Sequence, residues 1–160
     1  MPIGNCRHFE AQATCGLASE AKIICSEAPQ YDPDWTSDIT LSLNGLEIGT
    51  WTSPGDFGGV RARMTPDWWQ LDQSTHGLLK RFRVAEDGAF VNGEKLSEVR
   101  LADLKLEGSN HVAVRLEVKA DARHVGGLNL FGRKFGNDPQ DLVMRLEYAF
   151  EKGSKPVQIR

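Results

Sequence analysis

The chain carries no short signature of catalysis: no GxSxG, HExxH, Walker or GxGxxG pattern, and no cysteine–histidine pairing at a known spacing. Cysteine is scarce, with three residues, Cys6, Cys15 and Cys25, all near the amino terminus. An odd count without a signal peptide excludes a secreted disulfide framework. Cys6, His8 and Cys15 are zinc-ligand types, but no CxxC or second ligand pair completes a site, so neither metal nor cofactor is expected. Basic blocks are missing too. Nineteen Lys and Arg against 22 Asp and Glu give a net charge of −3 and a pI near 5.8. That balance offers no general attraction to polyanions, so direct nucleic-acid contact by this chain is not expected. No apolar run approaches the roughly 20 residues of a membrane span. The leading MPIGNCRHFEAQ lacks the apolar core of a signal peptide, which points to a cytoplasmic protein.

What is present fits one folded domain. The 160 residues are 40% hydrophobic and 26% charged, ordinary values for a chain with a substantial core. A single domain over residues 1–160 is expected, with 1–20 as an irregular amino-terminal segment and 151–160 as a frayed tail. Two Asn-Gly pairs organise the middle. Asp38 to Leu43 and Leu46 to Trp51 alternate apolar and polar on either side of Asn44-Gly45, and Ala89 to Leu96 repeats the device around Asn92-Gly93. Asn-Gly supplies the positive φ angles of a type I′ turn, so each is a β-hairpin. Further strands are expected at Ala21 to Cys25, Val60 to Met64, Leu78 to Val84, His111 to Lys119, Leu128 to Phe131 and Leu142 to Phe150, several with a period of two. Helix is limited to one turn at Thr65 to Trp69, where Pro follows a capping Thr, and a second turn or edge strand within Ser97 to Leu104. The pattern predicts an all-β fold: an antiparallel β-sandwich or jelly roll with one or two short helical turns.

Two glycine-rich segments interrupt the strands, Gly49 to Gly59 (GTWTSPGDFGG) and Gly126 to Tyr148 (GGLNLFGRKFGNDPQDLVMRLEY). Loops of this kind between apolar strands suit recognition better than core packing, and neither holds a catalytic motif. Within the second, Leu128, Leu130 and Phe131 are expected to pack, Leu142 to Tyr148 to form a core strand, and Arg133 to Gln140 to be open for binding. Trp35, Trp51, Trp68 and Trp69 lie near loops or strand ends. Indole faces stack on sugars and other small ligands, while amides and guanidinium groups bond their polar edges. Trp51 ends a hairpin strand and is expected in the core. Trp68 and Trp69 cannot both face inward on one short turn, so one of them is a candidate platform. The candidate ligand-binding set is Asp56, Arg61, Trp68, Trp69, Asn129, Arg133, Asn137 and Gln140. No catalytic residue is assigned. Asp32, Asp34, Asp38, Asp56, Asp67 and Asp72 could supply a glycosidase pair, but Asp is equally a turn residue. Of the histidines His76, His111 and His124, the last has the most suggestive place, just before Gly126.

Three strings also resemble a known family. CSEAPQYDPDWTSDITLSLNGLEIGTWTSPGDFGG from Cys25, PDWW at Pro66 to Trp69, and DARHVGGLNLFGRKFGNDPQDLVMRLEY from Asp121 are similar to the C-terminal portion of bacterial ArsR-type winged-helix transcriptional regulators. The resemblance spans Cys25 to Tyr148, with short IGN and TCGLAS segments upstream. It implies a non-enzymatic ligand-sensing or assembly domain, the effector portion of a regulator, without the DNA-binding winged helix. The family carries a longer stretch where Glu20 to Ile24 stand here, and that shortening would leave a sheet edge for a partner chain, such as a second copy. The ligand is an unknown small molecule. The alternative is a carbohydrate-binding module of jelly-roll type.

Overall fold

The computed structural model describes residues 16–30, 32–106 and 111–147. Among the described residues, nine strands make two antiparallel sheets. The larger contains β1 (Gly16–Cys25), β4 (Leu78–Ala85), β5 (Gly88–Val91), β6 (Glu94–Ser97), β8 (Asn129–Leu130) and β9 (Val143–Glu147), in the order β6-β5-β4-β1, with β8 and β9 sharing the far side of β1. β9 pairs with residues 16–20 of β1, and β8 pairs with Ile24 and Cys25. The smaller sheet has the order β3 (Leu46–Ser53), β2 (Ser37–Leu43), β7 (Val114–Val118). A 3-10 turn at Leu101–Leu104 precedes β7.

Both Asn-Gly hairpins form as the sequence dictates. Asn44 and Gly45 have φ of 49° and 80°, and Asn92 and Gly93 have 50° and 91°. These left-handed pairs match the twist of the strands they join. Between the sheets, Ile24, Phe82, Val84, Ala89 and Val91 meet Ile39, Leu41, Leu43 and Ile48, and Leu104 closes the core. Trp51 packs against this core, as expected, and its ring lies 4.2 Å from Lys80 Nζ. Val112, Val114, Leu116 and Val118 line the core from the β7 side.

Four expectations are corrected. The first strand starts at Gly16 rather than Ala21, so residues 16–20 are not irregular. Pairing with β4 and β9, both distant in sequence, supplies the ladder that the local composition of GLASE does not announce. Val60 to Met64 is not a strand. Its alternation buries only Ala62, while Val60 N–H donates to the Phe57 carbonyl and Thr65 N–H to the Ala62 carbonyl, bonds of local turns. Leu142 and Met144 are not core residues: the strand starts only at Val143, Leu142 and Met144 are 45% and 36% exposed, and of that set Leu146 packs inward. Leu130, 48% exposed, likewise does not pack, although Leu128 and Phe131 do. The remaining expectations for residues 1–15, for Tyr148 and for the tail lie outside the described residues, including the Cys6, His8 and Cys15 trio.

Candidate functional site

One end of the sandwich is built from the segments that leave β1, enter β2, and follow β3 and β8. The amino-terminal part of this layer is stitched by backbone. Glu27 N–H donates to the Gly126 carbonyl at 2.7 Å, Trp35 Nε1–H donates to the same oxygen at 3.1 Å, and Ser37 Oγ donates to the Gly127 carbonyl at 2.7 Å. Gly126 has no room for a side chain, because a Cβ there would run into the Thr36 carbonyl. The density of glycine in this part of the sequence therefore serves close packing of chain on chain, not an open loop.

His124 and Asp38 form a second tie. The carboxylate accepts from His124 N–H at 3.0 Å and from Thr52 Oγ at 2.7 Å, and lies 3.1 Å from His124 Nδ1. These donors, Thr52 foremost and His124 after it, hold the Asp38 carboxyl below its ordinary range against the opposing effect of burial. The site thus uses His124 as an anchor between β2 and the segment before Gly126.

Beyond the stitches lies a small aromatic core of its own. Cys25 and Phe131 are buried together with Phe57 and Phe135 packed on them. Phe131 and Phe135 stack with centroids 6.0 Å apart, and Trp69 meets Phe135 edge-on at 4.9 Å. Trp68 leans on Trp69 at 5.5 Å and is 76% exposed. Phe57 stands edge-on to His76 at 5.7 Å. Burial pushes the Cys25 thiol up to about 12, with Asn129 donating a partly offsetting hydrogen bond, so the buried sulfur stays protonated at neutral pH.

The eight candidate residues all fall in this layer, but in different roles. Asp56 is fully buried: its carboxylate accepts from Gly58 N–H at 2.8 Å and from Asp32 N–H at 3.3 Å, fixing a turn. Asn137 clamps Gly77, accepting from its N–H at 3.1 Å and donating to its carbonyl at 3.2 Å. Asn129 donates to the Ser26 carbonyl at 3.3 Å. Arg133 is exposed and paired with Asp141, Nε to Oδ2 at 2.9 Å. Gln140 is half-buried, with its N–H donating to the Asp138 carbonyl. Arg61 holds the tryptophan turn, donating to the Pro66 carbonyl at 3.0 Å and the Trp69 carbonyl at 3.3 Å. Trp68, Trp69 and Arg61 are thus brought together on one turn, whereas Asp56, Asn129 and Asn137 spend their polar atoms on backbone.

The opposite end carries a feature sequence reasoning missed: an open cleft of about 630 Å³ lined by Asn44, Leu46, Asp103, Leu104, Lys105 and His111, among others. Its polar groups are largely engaged. Asn44 donates to the Leu104 carbonyl and accepts from Ala113 N–H, and Asp103 accepts from Arg100 N–H. The Asn-Gly turn at its lip was legible, but the approach of residues 103–113 to that turn had no sequence signal. Among the described residues no cluster of three His, Cys, Asp or Glu side chains could hold a metal ion, and no helix is long and apolar enough to cross a membrane.

No family model, curated protein or solved structure matches the chain.

Proposed function

We propose that this chain is a non-enzymatic binding domain whose recognition surface is the Arg61–Trp69 turn. The observation that carries this reading is Trp68: a large apolar ring 76% exposed, on a turn braced by Arg61 and by Trp69 against Phe135. An indole kept in water beside a second, packed ring is unusual for packing and suited to stacking a ligand ring. With the resemblance to ArsR-type regulators, the reading becomes a ligand-sensing effector domain, acting in the cytoplasm.

The test is thermal shift against sugars, nucleotides, aromatic acids and metal ions. A ligand that binds the native state raises the melting temperature, and Trp68→Ala should fold normally and lose that response. The proposal fails should no compound raise it, or should Trp68→Ala respond as the parent does.

The exposed indole also suits the carbohydrate-binding alternative, since pyranose faces stack on such rings. Glycan-array binding lost in Trp68→Ala would favour it, and silence on the array would remove it. An assembly role has a different support, the exposed Leu142, Val143 and Met144 on and beside β9.

A further inference from the structure

Two buried side-chain polar atoms among the described residues lack a hydrogen-bond partner, and both belong to the same five-residue turn: Thr65 Oγ1 and Trp69 Nε1. Thr65 is only 9% exposed. Elsewhere the same end of the molecule satisfies its buried polar groups closely, as Asp56, Ser37 and Thr75 illustrate: Thr75 Oγ1 donates to the Val60 carbonyl and accepts from Ala62 N–H. An unpartnered buried donor is costly, so such groups are rare in a native fold and ask for an account. Their concentration beside the exposed Trp68 points to a ligand.

The chemistry of the turn narrows the class. Trp69 Nε1 can only donate, and Thr65 Oγ1 can donate or accept. The exposed Arg61 uses one N–H on the Pro66 carbonyl and one on the Trp69 carbonyl, so further N–H groups remain on a cation beside the indoles. The turn therefore offers a flat apolar face, a surplus of donors and one positive charge. Such a set is matched by a planar ring carrying an anionic acceptor, not by an apolar ring alone or a neutral polyol. The Nε1 and Oγ1 atoms are closed off from solvent, so the turn must lift from Phe135 for the acceptor to reach them. The contacts that must give way are the Met64 N–H bond to the Gly136 carbonyl at 3.0 Å and the edge-on rest of Trp69 against Phe135.

We propose that the Thr65–Trp69 turn binds an aromatic carboxylate, its ring stacked on Trp68 and its carboxylate accepting from Trp69 Nε1–H and Arg61. This rests on the reading of Trp68 as a recognition platform and adds the ligand class and the donor.

Calorimetric titration with indole-3-carboxylate, indole, cyclohexanecarboxylate and methyl β-glucoside tests it, on the parent chain, Trp68→Ala and Trp69→Phe. Trp69→Phe keeps a ring on Phe135 and deletes only the N–H and the second ring of the indole. Indole-3-carboxylate should bind the parent at least about tenfold more tightly than indole or cyclohexanecarboxylate, the loss expected when a hydrogen bond to a charged group or a stacked ring is removed. In Trp69→Phe its affinity should fall about tenfold or more, while the melting temperature of the free protein holds or rises because an orphaned donor is gone. Equal affinity in Trp69→Phe overturns the donor role. Binding of methyl β-glucoside in place of the acid, lost in Trp68→Ala, overturns the ligand class but leaves the platform standing. If no probe binds, the aromatic-carboxylate proposal falls, and the broader thermal-shift screen then decides the platform separately.

Discussion

At the scale of single residues, the polar atoms of the loop layer explain themselves by what they hold. Asp38 joins β2 to β3 through Thr52 and to the segment before Gly126 through His124. Its carboxyl is held below the ordinary value of 3.8, so the stability it contributes is present above that value and is lost as pH falls through the lower folded value. Urea melts of the parent and Asp38→Asn at pH 6 and pH 3 should show a smaller drop in the variant. Parallel losses would place the acid sensitivity elsewhere. Cys25 is the counterpart among thiols. Pushed up to about 12 by burial, it stays protonated at neutral pH and should resist iodoacetamide in the native protein. Peptide mass spectrometry after native and denatured labelling checks this, and rapid native labelling at Cys25 would contradict it.

At the scale of elements, glycines that look alike in sequence are held for different reasons. Gly45 sits in the β2–β3 turn at φ of 80° with open space where a side chain would go. Gly45→Ala should cost only the backbone strain of the left-handed region, about 1–2 kcal/mol. Gly126 does not need a positive φ, yet a Cβ there would meet the Thr36 carbonyl and disturb the bonds from Glu27 and Trp35 to its carbonyl and from its N–H to Ser37 Oγ. Gly126→Ala should cost about 1–3 kcal/mol through overpacking, accompanied by loosening of the loop layer seen in faster amide exchange at Glu27. Chemical denaturation of both variants separates the two: local exchange at Glu27 should change in Gly126→Ala alone. The hairpins were legible because a turn and its two strands are contiguous, and the dipeptide that makes the turn announces itself. β8 and β9 were less so. Each is defined by pairing with β1, more than a hundred residues away, and β9 alternates as a core strand would while lying where Val143 and Met144 remain exposed.

At the scale of the whole molecule, a six-stranded sheet faces a three-stranded one, so part of the wider sheet has no strand of the other opposite it. Leu130, Leu142, Val143 and Met144 are exposed on and beside β8 and β9, with Val143 and Met144 on opposite faces of their strand. If the chain assembles, this is where apolar area is available, and sedimentation at tens of micromolar (about the weak limit of a useful interface) should show a dimer that Met144→Lys disrupts. A strict monomer at that concentration would exclude the assembly role while leaving the tryptophan turn untouched. The two ends of the sandwich are also unlike. One is a loop layer with its own aromatic core, and the other an open cleft beside the Asn44-Gly45 turn.

The sequence by itself determined the fold class, both hairpins, the inward faces of β2 and β7, and the presence of one exposed indole in the Trp68-Trp69 pair. These follow from contiguous alternation and turn chemistry, which act over a few residues. Only the tertiary structure decided which indole is exposed, that Asp56 and Asn137 are spent on backbone, and that Gly126 is a packing glycine. A polar side chain in a loop can bond a ligand or a carbonyl equally well, and the choice depends on which distant backbone group arrives beside it. The sequence therefore offered one candidate set that ran across both the glycine-rich carboxyl-terminal segment and the residues Arg61, Trp68 and Trp69. In the fold, Gly126 and Gly127 pack chain on chain, and the turn of Trp68 holds two buried polar atoms without a partner.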